Sequence, residues 1–287
     1  MKVNSSEKLV ISTYNVFGGG PFAEERLPLL QAAFKSPLPH DIVLLQEATP
    51  TIRKAIQHLS GLNYSWTKSD TLPEGRKFAV HAGELCCLSR YPILESRLIR
   101  NGSWHDDGIV RHVIDTTTLS GSTLVVYNVH LSGGSYGKKE QDILKKKQLR
   151  VEELLDLKAS LSQDNQAIVA GDFNFDSDQA NNCPEKALLP VNCFNNCQDL
   201  WLSLKKSETG YTESTSQNPL RRYLKPNQKR EARFDKIMIL NSNQIKAEDI
   251  RRMGTDPGNQ ATVDSENTFC LMASDHFGLS ATLSFQS

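Results

Sequence analysis

Short apolar runs that stop abruptly at a polar residue organise this chain. Leu9-Val10-Ile11-Ser12-Thr13-Tyr14 reads as a strand, and the turn Gly18-Gly19-Gly20-Pro21 follows it. Glu24 to Lys35 has helical periodicity, with Pro28 expected in the first turn, where a missing N–H is tolerated. Asp41 to Gln46 is a second buried strand, ending at Glu47, and Pro50 to Leu59 reads as the next helix. Strands are expected around Leu85–Leu88, Val110–Thr116 and Leu124–Val129, the last two joined by a hairpin-like turn at Gly121-Ser122. Lys139 to Leu161 carries the longest helical pattern, with Ile143, Leu144, Leu149, Leu154, Leu155 and Leu161 as its apolar positions. Ala167 to Ala170 is another buried strand that stops at Gly171-Asp172. A polar, irregular stretch runs from Phe175 to Arg233, and strands close the chain at Phe234–Leu240 and Leu279–Phe285.

No repeat or low-complexity linker interrupts this alternation, so one domain spanning residues 1–287 is expected. Strand-rich halves with helices between them predict an α/β fold in which two packed sheets are covered by helices. Lys+Arg and Asp+Glu both total 33, so no global field attracts a polyanion, and any nucleic-acid contact must come from a local patch. No apolar run approaches the ~20 residues that cross a membrane. The N-terminal stretch Met1 to Lys8 has no apolar leader segment, so an intracellular protein, nuclear or cytoplasmic, is expected. The 6 cysteines fit that setting as reduced thiols. Cys86 and Cys87 should point to opposite faces of a strand. Cys183, Cys193 and Cys197 lack the paired spacing and nearby histidine of a zinc site.

The chemistry lies where the runs stop. Asn15, Glu47, His130, Asp172 and Asp275 each sit at or beside the end of an apolar strand. Strand ends along one rim of stacked sheets bring side chains from distant sequence positions into one cleft. Glu47 and Asp275 are hard oxygen donors suited to Mg²⁺, with Mn²⁺ as a substitute, and Asn15 offers a neutral amide oxygen. His130 and His276 can donate to a phosphate oxygen or move a proton near neutral pH. Asp172 and Asn174, two apart in an extended segment, face one side and can grip a water together. Singly, each has an ordinary explanation: a cap for Glu47, a turn for Asp172, a satisfied histidine for His130. Their conjunction is what points to a site.

A basic stretch, Arg221, Arg222, Lys225, Lys229, Arg230 and Arg233 with Tyr223 between, precedes the Asp235 strand. It suits a single-stranded nucleic-acid backbone with a base stacked on the tyrosine, and equally an exposed soluble loop. Lys145, Lys146 and Lys147 lie instead on a helix rich in Glu and Asp and are expected on an exposed, salt-bridged face.

The ordered set Tyr14-Asn15, Gln46-Glu47, Asn128-Val129-His130-Leu131, Gly171-Asp172-Phe173-Asn174, Arg233-Phe234-Asp235-Lys236-Ile237 and Ser274-Asp275-His276 resembles the endonuclease/exonuclease/phosphatase superfamily. The resemblance spans residues 13 to 279 and implies a four-layer α/β/β/α sandwich with Mg²⁺-dependent cleavage of a phosphoester. It implies Glu47 as principal metal ligand with Asn15 and Asp275 nearby, Asp172 and Asn174 on the attacking water, Asp235 orienting His276, and His130 on the phosphate. Leu88 to Ile93, preceded by Glu84, is similar to the sphingomyelinase and general nuclease branch. The layout Asp199-Leu200-Trp201, Gly210-Tyr211-Thr212 and Arg233 to Met238 looks like the tyrosyl-DNA phosphodiesterase 2 branch, although Tyr14 stands where that branch has tryptophan. The expectation is a monomeric phosphodiesterase acting on DNA, single-stranded or at a 5′ end carrying a tyrosyl adduct. Asn15, Arg221, Arg222, Tyr223 and Arg233 are expected to contact that substrate. A sphingomyelinase-like lipid hydrolase, a general nuclease and an inactive DNA-binding scaffold are the alternatives.

Overall fold

The computed structural model describes residues 8–35, 39–57, 65–67, 84–101, 108–133, 139–178, 183–240, 244–258, 260–262 and 268–285. The chain opens with β1 (Lys8–Asn15), α1 (Ala23–Phe34), β2 (Ile42–Gln46) and α2 (Pro50–Gln57). Strands β3 (Ser65–Thr67), β4 (Cys86–Ser89), β5 (Ile93–Asn101) and β6 (Gly108–Ile114) follow. Next come α3 (Thr117–Ser120), β7 (Leu124–His130), the long α4 (Glu140–Leu161) and β8 (Ala167–Asp172). The stretch expected to be irregular holds short elements: α5 (Pro184–Ala187), α6 (Pro190–Cys193), β9 (Cys197–Asp199), α7 (Leu200–Leu204), β10 (Glu213–Ser214), α8 (Pro219–Leu224) and β11 (Glu231–Ala232). The chain closes with β12 (Asp235–Leu240), β13 (Ile245–Met253), β14 (Gln260–Thr262), β15 (Thr268–Cys270) and β16 (Gly278–Phe285).

Two mixed six-stranded sheets result, ordered β13-β16-β1-β2-β4-β3 and β5-β6-β7-β8-β12-β9. Alternation along the strands sorts the apolar side chains into layers. Leu9, Ile11, Ile42 and Leu44 of the first sheet meet Ile114, Val126, Ile168 and Ile239 of the second in one central cluster. The opposite face of the first sheet, Tyr14, Val43 and Leu45, packs on Leu30 of α1 and on Ile52 and Ile56 of α2. The outer face of the second sheet, Tyr127, Val129 and Val169, packs on Leu154, Leu157 and Leu161 of α4. The order helix, sheet, sheet, helix is the expected four-layer sandwich. Because β1, β2 and β8 are buried on both faces, they read as continuous apolar runs rather than alternating ones. Cys87 joins the central cluster and Cys86 the outer one, on opposite faces as expected, and burial pushes the Cys86 thiol up to about 12.

Several local expectations change. Pro28 lies inside α1 rather than in its first turn. The β6–β7 link is no tight hairpin, since a helical turn intervenes and ends at Gly121 in the left-handed region (φ 71°). Strands β5 and β13 were not foreseen, because ILESRLIRN and IKAEDIRRM are edge strands whose charged positions break up any apolar run. The lysine-rich part of α4 is not a purely exposed face: Lys146 and Glu153 are buried. Glu153 accepts from the Ser132 N–H (2.9 Å) and the Ser132 hydroxyl (2.5 Å), so it anchors the loop after β7.

Candidate active site

Register brings the strand ends together. In the second sheet His130 pairs with Asp172, and Asp172 pairs with Asp235, so three polar side chains line up across three adjacent strands. In the first sheet Asn15 pairs with Gln46, and the chain enters β16 through Asp275-His276 beside them. The backbone is strained where the strands stop. Glu47 and Asn174 both take φ 54°, a left-handed conformation that costs a residue bearing a Cβ about 1–3 kcal/mol. Gly171, at φ 147°, is required by contact as well, because a Cβ there would run into the Val129 carbonyl.

One amide joins the sheets at the rim. Asn15 Nδ2 donates to Glu47 Oε1 (2.9 Å) and to Asp172 Oδ2 (3.0 Å), while its Oδ1 accepts from the Phe17 N–H (3.0 Å). Asp172 Oδ1 accepts from the Asn174 N–H (2.8 Å), and Asn174 Nδ2 bonds Leu131 O (2.9 Å) and reaches Asp172 Oδ2 (3.3 Å). His276 Nδ1 is 2.9 Å from Asp235 Oδ2, which leaves Nε2 3.9 Å from Asp172 Oδ2. His130 Nε2 lies 3.6 Å from Asp172 Oδ2 and 3.9 Å from Glu47 Oε1. Asp275 Oδ2 is paired with Arg221 Nη1 at 3.1 Å.

Electrostatics divides these carboxylates into different roles. Burial is the main influence on Glu47 and, with the neighbouring charge of Asp275, pushes its carboxyl up to about 7 despite His130 and Asn15. Burial also works against the Asp172 anion, yet His276, His130, Asn15 and the Asn174 N–H together hold it below the usual carboxylate range. Asp235 is raised by burial and by Asp172. For His276, burial opposes the charge, but Asp235 and Asp172 outweigh it and raise the imidazole well above its ordinary value. The two carboxylates thus favour the charged form of the histidine between them. These groups open onto a cleft of about 350 Å³, lined by Glu47, Asp172, Asn174, Asp275 and His276 and walled by Phe17 and Phe234.

The Endonuclease/Exonuclease/phosphatase family profile matches residues 12–224. The chain belongs to this family. Members of the endonuclease/exonuclease/phosphatase family are hydrolases acting on phosphoester bonds. Among solved structures, D. rerio TDP2 complexed with single strand DNA product superposes with TM-score 0.68 at 19% identity, covering 97% of this chain and 99% of that one. Sphingomyelinase C from Streptomyces griseocarneus gives TM-score 0.70 at 19% identity, covering 96% and 99%. Truncated Caenorhabditis elegans TDP2 gives TM-score 0.64 at 17% identity, covering 96% and 97%. No curated protein sequence matches the chain significantly. At these identities the likeness shows the fold.

The family's general use of a divalent metal can be tested against the residues present. Donor atoms of Asp172, Asp235 and His276 lie within 4.8 Å of one another. That trio is already knitted by the His276–Asp235 bond and by the donors on Asp172, so an ion there would have to break the orientation of the histidine. Glu47 and Asp275 fit better: both line the cleft, their mutual repulsion is what a cation relieves, and Arg221 engages Asp275 through Oδ2, a contact whose loss disturbs no histidine of the site. Asn15 departs from its expected part as a metal ligand. Its amide oxygen is turned to Phe17 and its nitrogen faces the carboxylates, so it is a hydrogen-bond donor there. Among the described residues no cysteine joins a group able to hold a metal, consistent with free thiols.

The basic stretch does not form a continuous patch. Arg233 is buried, forks onto Asp178 (2.7 and 3.0 Å) and reaches Asp199 (2.9 Å), so it is a core ion pair and not a substrate contact. Arg222 is exposed but bonded to the Thr215 and Ser216 carbonyls. The Tyr223 ring is stacked on Phe269 at 4.6 Å, with 13° between planes. Only Arg221, itself held by Glu213 and Asp275, and Lys225 reach the cleft.

Sequence reasoning assigned no role to the layer just beneath the site. Gln46 Nε2 donates to Asn128 Oδ1 (2.8 Å) and Thr13 Oγ1 (3.0 Å), and Asn128 Nδ2 donates to the Leu45 and Cys86 carbonyls (both 3.1 Å). Thr212 Oγ1 accepts from the Phe234 and Asp235 N–H groups (both 3.0 Å) and fixes the start of β12. A polar residue expected inside an otherwise apolar run was the available signal for Gln46 and Asn128. Thr212 lies in a loop, where Gly210-Tyr211-Thr212 marks it without giving it a role.

Proposed function

We propose that this chain is a Mg²⁺-dependent phosphodiesterase whose leading substrate is DNA carrying a 5′-tyrosyl adduct or a 5′ end. The observation that carries the reading is the hydrogen-bonded set Asn15, Glu47, Asp172, His276 and Asp235, drawn from both sheets onto one rim above a single cleft. In this reading Glu47 and Asp275 would hold Mg²⁺, or Mn²⁺ in its place, which would supply charge neutralisation at the phosphate. Asp172 and Asn174 orient a water for in-line attack on phosphorus, and Asp172 takes its proton. As the oxygen–phosphorus bond forms, the bond to the leaving oxygen breaks, and that oxygen departs as an alkoxide or phenolate that takes a proton from solvent, giving a phosphomonoester and an alcohol or phenol. His276, kept cationic by Asp235, and His130 donate to the non-bridging oxygens as charge develops there. Arg221 and Lys225 at the cleft favour an anionic substrate backbone.

A phospholipid reading is favoured by the likeness to sphingomyelinase C. One panel separates them: 5′-tyrosyl single-stranded DNA, plain single- and double-stranded DNA, sphingomyelin and inositol phosphates, each with Mg²⁺ and with chelator. Release of tyrosine from the DNA adduct, abolished by chelator, is expected. Preference for sphingomyelin would reverse the substrate assignment, activity surviving chelation would defeat the cation's role, and DNA binding without cleavage would mark an inactive scaffold.

A further inference from the structure

Arg26 is 0% exposed, yet among the described residues no carboxylate touches its guanidinium. Its donors go to four backbone carbonyls: Nε to Pro21 O (3.1 Å), Nη1 to Val16 O (3.0 Å) and Ala273 O (2.9 Å), and Nη2 to Phe17 O (2.6 Å). A guanidinium has five N–H donors, so four are committed. The cation also lies 5.3 Å from the centre of the Phe17 ring. Burial disfavours this charge and the nearby Asp275, Glu47 and Glu25 offset it only in part, so a methionine or leucine would fill the same space at lower cost. Such a group calls for a reason.

The reason lies in which segments it joins. Residues 16–21 leave the end of β1 and are bonded directly to the site. The Phe17 N–H is held by Asn15 Oδ1, and the Gly18 N–H by the Glu47 carbonyl (2.9 Å). Ala273 stands two residues before Asp275, and the neighbouring Ser274 Oγ donates to the Asn15 carbonyl (2.7 Å). Arg26 therefore clamps the segment that fixes Glu47 to the segment that carries Asp275. Its planar fork reaches both from behind, out of the cleft.

We propose that Arg26 is a positioning residue for the cation site, holding the loops that present Glu47 and Asp275 at the separation one divalent ion requires. This rests on the reading that those two carboxylates hold the ion. Arg26→Lys is the informative variant, since it keeps the positive charge and loses the planar fork. Arg26→Gln removes the charge, which by field alone would tighten a dication, so a loss of affinity shared by both variants reports position.

Mn²⁺ binding to the folded protein is measured by titration calorimetry, without substrate, for wild type, Arg26→Lys and Arg26→Gln. Leu154→Ala, a core change under α4, is the control for general destabilisation. Arg26→Lys is expected to bind Mn²⁺ about 10-fold or more weakly. Raising Mn²⁺ should return much of its turnover, while Leu154→Ala should keep wild-type affinity. Unchanged Mn²⁺ affinity in folded Arg26→Lys overturns the proposal, as does an equal loss in Leu154→Ala. If Arg26→Lys does not fold, Arg26→Gln is read in the same way, and failure of both to fold assigns Arg26 to the core instead. Absence of Mn²⁺ binding by wild type would remove the cation-site reading itself, whereas wild-type binding with an indifferent Arg26→Lys removes only the clamp.

Discussion

The Gln46–Asn128 contact is the buried polar bridge directly beneath the site, and removing it should cost stability in a calculable way. Asn128 is 0% exposed and makes three bonds: it accepts from Gln46 Nε2 at 2.8 Å and donates to Leu45 O and Cys86 O at 3.1 Å. Asn128→Leu keeps most of the volume and deletes all three. The two carbonyls belong to strands and retain ladder partners, so the principal loss falls on the Gln46 amide, which keeps Thr13. At about 1–3 kcal/mol for an unsatisfied buried group, tempered by those retained partners, the total should be roughly 2–4 kcal/mol. Gln46→Leu should cost a similar amount by stranding Asn128 Oδ1. The double variant should cost less than the two single ones together, by about 1–2 kcal/mol, because no donor is then left facing a missing acceptor. Urea denaturation of all four proteins at neutral pH reads this directly. Since Glu47 and His130 stand at the ends of the two strands so bridged, with Asn15 and Asp172 on the strands paired beside them, turnover of a phosphodiester should fall in each single variant. Strict additivity, or a loss below about 0.5 kcal/mol for Asn128→Leu, would refute the idea that this bond ties the sheets.

Three further outcomes are expected. Asp235→Asn should leave the fold intact but lower phosphodiester turnover by roughly 10²–10⁴, as His276 loses the anion that keeps it charged; turnover within threefold of wild type would remove Asp235 from its role. Arg233→Met, which strands Asp178 and Asp199, should destabilise by about 3–5 kcal/mol with no change in KM for whichever phosphodiester the substrate panel selects; a selective rise in KM would return Arg233 to the substrate surface. The buried His40 and His112 are each pushed down to about 4 by burial, so the unfolded chain takes up protons first as pH falls. Their contribution is therefore complete above about pH 6.5 and lost between there and about pH 4, roughly 3 kcal/mol each, and His112→Gln should flatten that acid limb in urea melts.

The α/β class and the strands that carry the site can be read along the chain, because strands buried on both faces are written as mostly apolar runs. The residues that stop those runs can be read there too, and Asn15, Glu47, His130, Asp172, Asp235, Asp275 and His276 are gathered at one rim of the fold. Edge strands β5 and β13 stayed hidden, since a strand wet on one side mixes Arg and Glu with its apolar residues. What each polar side chain faces is settled by folding. Asn15 turns its nitrogen to two carboxylates that lie 32 and 157 positions away. Arg233 is taken out of a run of basic residues that looked uniform along the chain and buried against Asp178 and Asp199. Arg26, which no motif marks, reaches the Ala273 carbonyl 247 positions away across the back of the site. Hydrophobic burial depends on a residue's own character and that of its near neighbours, so it can be read along the chain. Hydrogen bonding and charge depend on the partner, and the partner is chosen by the packing of the two sheets.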